Sequence, residues 1–196
     1  MSTINGFLSL LILPAILSVP VLAALPATQP TTRSATPAVG DRASDFSLDA
    51  LDGTKVKLSD LTRQGPVVLL VLRGWPGYQC PICTKQVGDF LSRQKDLESA
   101  NARVLMVYPG PADQLNDHAA EFIRGKTLPE RFYFVIDPDY TFTNAYGLRW
   151  DAPKETAYPS TFVIDKDNVV RFANTSKTHG GRSSAAEVLK VLNRAP

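Results

Sequence analysis

The sequence predicts a three-layer α/β domain in which a central mixed β-sheet is flanked by helices. Three patterns carry that expectation. Val67–Leu72 is six consecutive apolar residues and Val104–Val107 four, the mark of central strands covered on both faces. Segments of helical period separate these runs from each other and from Phe132–Ile136. Thr161–Ile164 then turns at Asp165–Asn168 into Val169–Phe172, a hairpin followed by a closing helix. Two strand–helix–strand units plus a hairpin and a helix give three layers.

Taken in order, Ala43–Leu48 and Thr54–Leu58 flank a turn at Asp52-Gly53 and read as an antiparallel pair. The strand Val67–Leu72 ends at Arg73-Gly74. One helix is expected beyond it, with Cys83, Val87, Phe90, Leu91 and Leu97 on its inner side. Leu115, Ala119, Phe122 and Ile123 mark the next helix, ending near Gly125. The last helix opens with a capping box, Ser184-Ala-Ala-Glu187, and turns Ala185, Val188, Leu189 and Leu192 inward.

Composition narrows the function. The chain has 196 residues, 21 Lys plus Arg against 19 Asp plus Glu, and a net charge of +2. Without a long basic run, nucleic acid is excluded as the main partner. A hydrophobic share of 44% is enough for a real core. Residues 1–32 carry no charge, and Phe7–Leu17 is almost wholly apolar. With small residues at Val21–Ala24, residues 1–24 read as a signal peptide, and the rival is an uncleaved N-terminal anchor. Membrane contact is expected only in the second case. Either way the folded part is expected outside the cytoplasm, periplasmic or secreted. Residues 25–38, rich in Pro, Thr and Ala, read as a linker, leaving residues 39–196 as the domain.

The two cysteines stand three apart, as Cys80-Pro81-Ile82-Cys83. Pro81 suits the first helical position, where its missing N–H is no loss. Cys80 then falls at the N-cap and Cys83 in the first turn. A sulfur at the N-cap meets the N–H groups of Ile82 and Cys83 and the positive end of the helix, and both favour thiolate. Bringing a thiol from about 8.5 to about 6.5 takes roughly 2.7 kcal/mol. The helix dipole supplies about 0.3–2 kcal/mol, and hydrogen bonds to charged sulfur about 1.5–3. Together these suffice to make Cys80 a nucleophile. Cys83, on the inner stripe, suits the part of the second sulfur that closes a Cys80–Cys83 disulfide. The rival readings are a static disulfide and a metal site. A bridge over four residues would stabilise the fold by only about 2 kcal/mol. A zinc site would need two more ligands, and His118 and His179 lack ligand spacing. No metal or organic cofactor is expected.

Val39–Leu48, the buried strand, Pro76-Gly-Tyr-Gln-Cys80-Pro-Ile-Cys83-Thr-Lys-Gln86 and Ser160-Thr-Phe-Val-Ile-Asp165 together resemble the AhpC/TSA group, the peroxiredoxins and their thioredoxin-fold relatives. That resemblance implies a thioredoxin-like fold and thiol-based antioxidant or disulfide chemistry, with a peroxide or a protein thiol/disulfide as partner. It also sets two readings against each other. Peroxiredoxins place a Pro, then a Thr or Ser four residues on, then the attacking Cys three further. Pro76 and Cys83 match the outer positions, and Cys80 replaces the hydroxyl residue. Peroxiredoxins also carry an Arg three residues before the Phe of their Thr-Phe strand, where this chain has Pro159. Thioredoxin-like exchange proteins place a cis-proline there beside a CxxC; the plainer reading is a strand-start proline. Arg73 and Arg149 are the candidates to replace the missing Arg. Trp75, Tyr78 and Gln79 are expected at the rim of Cys80, by packing or by partner recognition. Gln86 stands where many exchange proteins carry Glu. His118 is expected to be packed and His179 to lie on a loop. The second function class is a non-catalytic binding domain with locked cysteines.

Overall fold

Val67–Val71 (β3) and Arg103–Gly110 (β4) are buried at every residue and pair in parallel, with Val67 opposite Arg103 and Val71 opposite Val107. Strands buried along their whole length need cover on both faces, and these lie in the middle of a seven-stranded sheet. The computed structural model describes residues 1–2, 35–77 and 79–194. The signal-like stretch, most of the linker and Tyr78 fall outside the described residues. Among the described residues no helix is long and apolar enough to cross a membrane.

Ser47–Ala50 (β1) and Lys55–Lys57 (β2) form the expected antiparallel pair. Phe132–Pro138 (β5) runs parallel to β4, while Ser160–Ile164 (β6) is antiparallel to β3 and forms a hairpin with Val170–Thr175 (β7). The order is β2-β1-β5-β4-β3-β6-β7. Alternation along the strands sorts side chains onto two faces. Val68, Leu70, Val104, Met106 and Tyr108 meet Pro81–Ser92 (α2), Gln94–Ser99 (α3), Leu115–Ile123 (α4) and Ala185–Leu192 (α6). Val67, Leu69, Val71, Leu105 and Val107 meet Leu58–Thr62 (α1) and Thr141–Ala145 (α5).

The single helix expected beyond the cysteines is two, broken at Arg93, which leaves helical geometry with φ −105° and ψ 20°. Helices α1 and α5, five residues each, are additions to the expected elements. The capping box of α6 is present in both directions. Ser184 Oγ accepts from the Glu187 N–H, and the Glu187 carboxylate accepts from the Ser184 N–H.

Candidate active site

The site forms where β3 hands over to α2. Gly74 makes the handover possible. It sits at φ +65°, and a Cβ there would lie 2.0 Å from the Pro109 carbonyl oxygen at the end of β4. No side chain fits that approach. The loop then reaches Cys80, the N-cap of α2, with Pro81 opening the helix as its sequence position demands. Cys83 points inward with Val87 and Phe90. Both cysteines are unbridged, Cys83 1% exposed and Cys80 4%. The difference is small, but Cys80 is the sulfur nearer solvent.

Electrostatics separate them much further. The Cys83 thiol donates to the Cys80 sulfur, the largest influence drawing Cys80 down to about 5 against the opposing effect of burial. The N–H groups of Cys83 and Ile82 and the positive charge of Arg182 add to it. Cys80 Sγ forms no cap hydrogen bond of full geometry, so these N–H groups act as oriented dipoles rather than close donors. Cys83 is pushed up, because its proton is held by Cys80 and because it is buried. The Arg73 N–H, 3.4 Å from Cys83 Sγ, pulls weakly the other way. The pair therefore holds one proton, on the inner sulfur.

Arg182 is the residue that sequence reasoning missed. It comes from the loop between β7 and α6, and its Nη2 lies 3.7 Å from Cys80 Sγ. Its Nη1 donates to Gln86 Oε1 at 3.2 Å and its Nε to the His179 carbonyl at 3.0 Å. Gln86, buried on α2, fastens that loop by donating to the Ser183 carbonyl at 3.1 Å. A signal did exist, since Gly180-Gly181-Arg182 stands one residue before the capping box, a flexible pair followed by a long cation.

Of the two arginines expected at the sulfur, Arg73 interacts with Cys80 while paired to Glu155, and Arg149 is engaged elsewhere. Arg73 binds Glu155 through Nε at 2.5 Å and Nη2 at 3.2 Å, and its Nη2 also reaches the Lys154 carbonyl at 2.8 Å. Its guanidinium still lies close enough to Cys80 to interact with it. Burial works against the Glu155 charge, but Arg73 and His179 hold its carboxyl below the usual range. His179 Nε2 sits 2.9 Å from Glu155 on the expected loop. Arg149 covers the Tyr140 ring at 4.0 Å and bonds the carbonyls of Thr156, Glu155 and Trp150. None of the Arg149 contacts is to a sulfur.

Trp75 stacks on His118 with ring centres 3.8 Å apart, which accounts for the packed histidine. Gln79 Nε2 donates to the His118 carbonyl at 2.7 Å, and the Tyr108 hydroxyl donates to Gln79 Oε1 at 2.9 Å. The cysteine loop is thereby pinned to β4 and α4. Pro76 lies half-buried in that loop. Pro159 is buried immediately before β6. No peptide among the described residues is cis, so Pro159 does not adopt the geometry of the exchange proteins. No three metal-ligating side chains converge among the described residues.

A dithiol at the start of a helix, its outer sulfur drawn down and its inner one pushed up, beside the end of a central strand, is the arrangement of a thiol oxidoreductase. Residues 39–173 match the AhpC/TSA family. A putative peroxiredoxin of Mycobacterium tuberculosis is 30% identical over 138 residues, 67% of this chain and 80% of the relative. A putative peroxiredoxin of Helicobacter pylori is 32% identical over 137 residues, 67% and 84% respectively. Peroxiredoxin Q of rice chloroplasts is 29% identical over 175 residues, 88% and 76%. Among solved structures, the peroxidoxin BcpB of Mycobacterium tuberculosis superposes with a TM-score of 0.64 at 25% identity, over 82% of this chain and 99% of that one. The chain belongs to the AhpC/TSA family. It has the thioredoxin-like fold of the peroxiredoxins and is a thiol oxidoreductase of their type.

Proposed function

We propose that the protein reduces peroxides through a Cys80/Cys83 dithiol, with Cys80 attacking. The Cys80 thiolate attacks one peroxide oxygen and the O–O bond breaks; that oxygen stays on sulfur as a sulfenic acid, and the other leaves as alkoxide or hydroxide, which takes a proton from solvent to become alcohol or water. Cys83 then attacks the oxidised sulfur, water departs, and a Cys80–Cys83 disulfide remains. An external protein thiol supplies the two electrons that restore the dithiol. The reading rests on one observation: the more exposed sulfur, at the helix N-cap, is held as thiolate by its neighbour's proton.

Trapping tests it. With Cys83→Ser, peroxide should leave a sulfenic acid on Cys80, detected by dimedone labelling and mass spectrometry. Sulfenic acid forming only in Cys80→Ser would transfer the attack to Cys83, the position that the peroxiredoxin pattern favours. Ile82, 40% exposed between the two cysteines, supports a second reading in which a protein disulfide is the substrate. Its apolar side chain offers a docking point beside Cys80. Peroxide consumption and insulin reduction, measured side by side, separate the two. The charge-free N-terminal stretch supports export of the enzyme, which cell fractionation with sequencing of the mature N-terminus would check.

A further inference from the structure

We infer that the cavity beside Cys80 binds the carboxylate of a short organic hydroperoxide, with Lys85 as the residue that selects it; this rests on the peroxidase reading and gives it a substrate class. The cavity, about 440 Å³, lies between α2 and the loop from β7 to α6. Ile82, Lys85, Gln86 and Asp89 form its helix wall, spaced i, i+3, i+4 and i+7 along one face of α2. Residues 180–184 form the facing wall. The end at Ile82 and Arg182 adjoins the sulfur, since Ile82 stands two residues after Cys80 and Arg182 Nη2 lies 3.7 Å from Cys80 Sγ. Lys85 is one helical turn further on, about 5 Å along the axis. A molecule with its peroxide at Cys80 therefore brings a group a few bonds away to the Lys85 ammonium.

Three observations fix the chemistry of that group. The first is charge. Among the described residues neither Lys85 nor Arg182 lies within ion-pair distance of a carboxylate. Asp89, one turn beyond Lys85, is turned to α6, where it accepts from the Ala185 N–H at 2.7 Å. Two cations against one engaged anion favour an anionic ligand. The second is polarity. Ile82 is the one large apolar side chain on the walls, so a long hydrocarbon chain would gain little by leaving water for this cavity. The third is redox state. The cavity is present with both cysteines unbridged, and the dithiol is the state that meets peroxide, whereas a reducing thiol meets the disulfide. The steps at sulfur are those already given, and the alcohol that leaves carries the carboxylate.

The test compares cumene hydroperoxide with the same molecule carrying a para-carboxylate, as substrates of the full chain with dithiothreitol as reductant. The parent should favour the carboxylate about threefold in kcat/KM, through KM, the effect of one exposed charge pair. Lys85→Ala should bring that ratio to about one, and Lys85→Glu should reverse it. Lys166→Ala removes the same charge from the turn between β6 and β7 and should keep the parent ratio. A parent without preference overturns the inference. So does a Lys166→Ala ratio that falls as far as that of Lys85→Ala, which would mark steering by net charge. A second readout needs no turnover. The carboxylate-bearing product alcohol should slow Cys80 alkylation by iodoacetamide in the reduced full chain, read by mass spectrometry, while the neutral alcohol should not, and Lys85→Glu should lose the protection. Equal effects of the two alcohols overturn the site. A parent inert to both hydroperoxides and to hydrogen peroxide would sink the peroxidase reading, and selective protection would still uphold the carboxylate site at Lys85.

Discussion

Two parallel strands of this sheet, β3 and β5, each end at a helix whose first turn meets an ionisable side chain, and the two junctions are built in opposite ways. At the end of β5 the Asp137 carboxylate is fully buried. It accepts from the Phe142 N–H at 2.8 Å, the Thr143 N–H at 2.9 Å and the Thr143 hydroxyl at 2.5 Å. Burial raises its pKa even so, since those donors do not fully replace water. At the end of β3, Cys80 has no backbone N–H donor of full cap geometry and yet is drawn down, by its neighbour's thiol proton, by the helix N–H groups and by the Arg182 charge. A saturated anion is structural. An anion whose coordination is incomplete keeps a lone pair for chemistry.

The widest gap should appear on removing the two groups. Cys80→Ser is expected to lower peroxide turnover at least roughly a thousandfold while leaving the unfolding midpoint in urea little changed, because a serine hydroxyl is not ionised at neutral pH. If Asp137→Ala matched that loss in a folded protein, the contrast between the junctions would collapse. Next in size is the pH profile of the parent. Alkylation of Cys80 should rise through about pH 5 and be level by pH 7. A thiol of ordinary pKa would be only a few tenths of a per cent ionised at pH 6 and still climbing at 7. The plateau is diagnostic rather than the absolute rate, since a less basic thiolate is also a weaker nucleophile.

Asp137→Ala belongs to stability instead. It strands two buried N–H groups and a hydroxyl at the start of α5, a cost of about 3 kcal/mol that urea unfolding would show. Asp137→Asn keeps an acceptor oxygen and should lose less. In neither variant should the alkylation midpoint of Cys80 move.

The same contrast explains what could be read in advance. The β3–α2 junction was legible because its signals are local: six apolar residues, a glycine, then Cys-Pro-Ile-Cys, all within the seventeen residues Val67–Cys83. The capping box of α6 was legible for the same reason. Helix α5 was not, because its first turn is held by Asp137, which lies inside the preceding strand and reads as strand sequence. Helix α1 follows β2 directly from Lys57, which offers no side-chain cap, so nothing in the sequence divides strand from helix. Arg182 meets Cys80 across 102 positions, and no spacing or period encodes such a contact. Residues near in sequence, Arg73 and Arg149, were therefore the natural candidates; Arg73 does interact with Cys80, Arg149 does not reach it, and the distant Arg182 stands beside the same sulfur.

Arg149 provides the smallest and most discriminating case. It is a half-buried arginine on the segment that also carries Glu155, the carboxylate that compensates Arg73. Its guanidinium lies over Tyr140, just before α5, and bonds the carbonyls of Thr156 at 2.7 Å and Glu155 at 3.1 Å. It therefore ties this segment to the β5–α5 junction, the structural one of the two. Arg149→Ala should cost about 1 kcal/mol in urea unfolding, the worth of one partly exposed cation–π contact and its carbonyl bonds. The Cys80 alkylation midpoint should stay where it is, because Arg149 adds no charge at the sulfur. A midpoint that rose in Arg149→Ala would mean that the field at Cys80 is set by the segment as a whole, and the distinction between a charge that acts directly and one that only braces would fail.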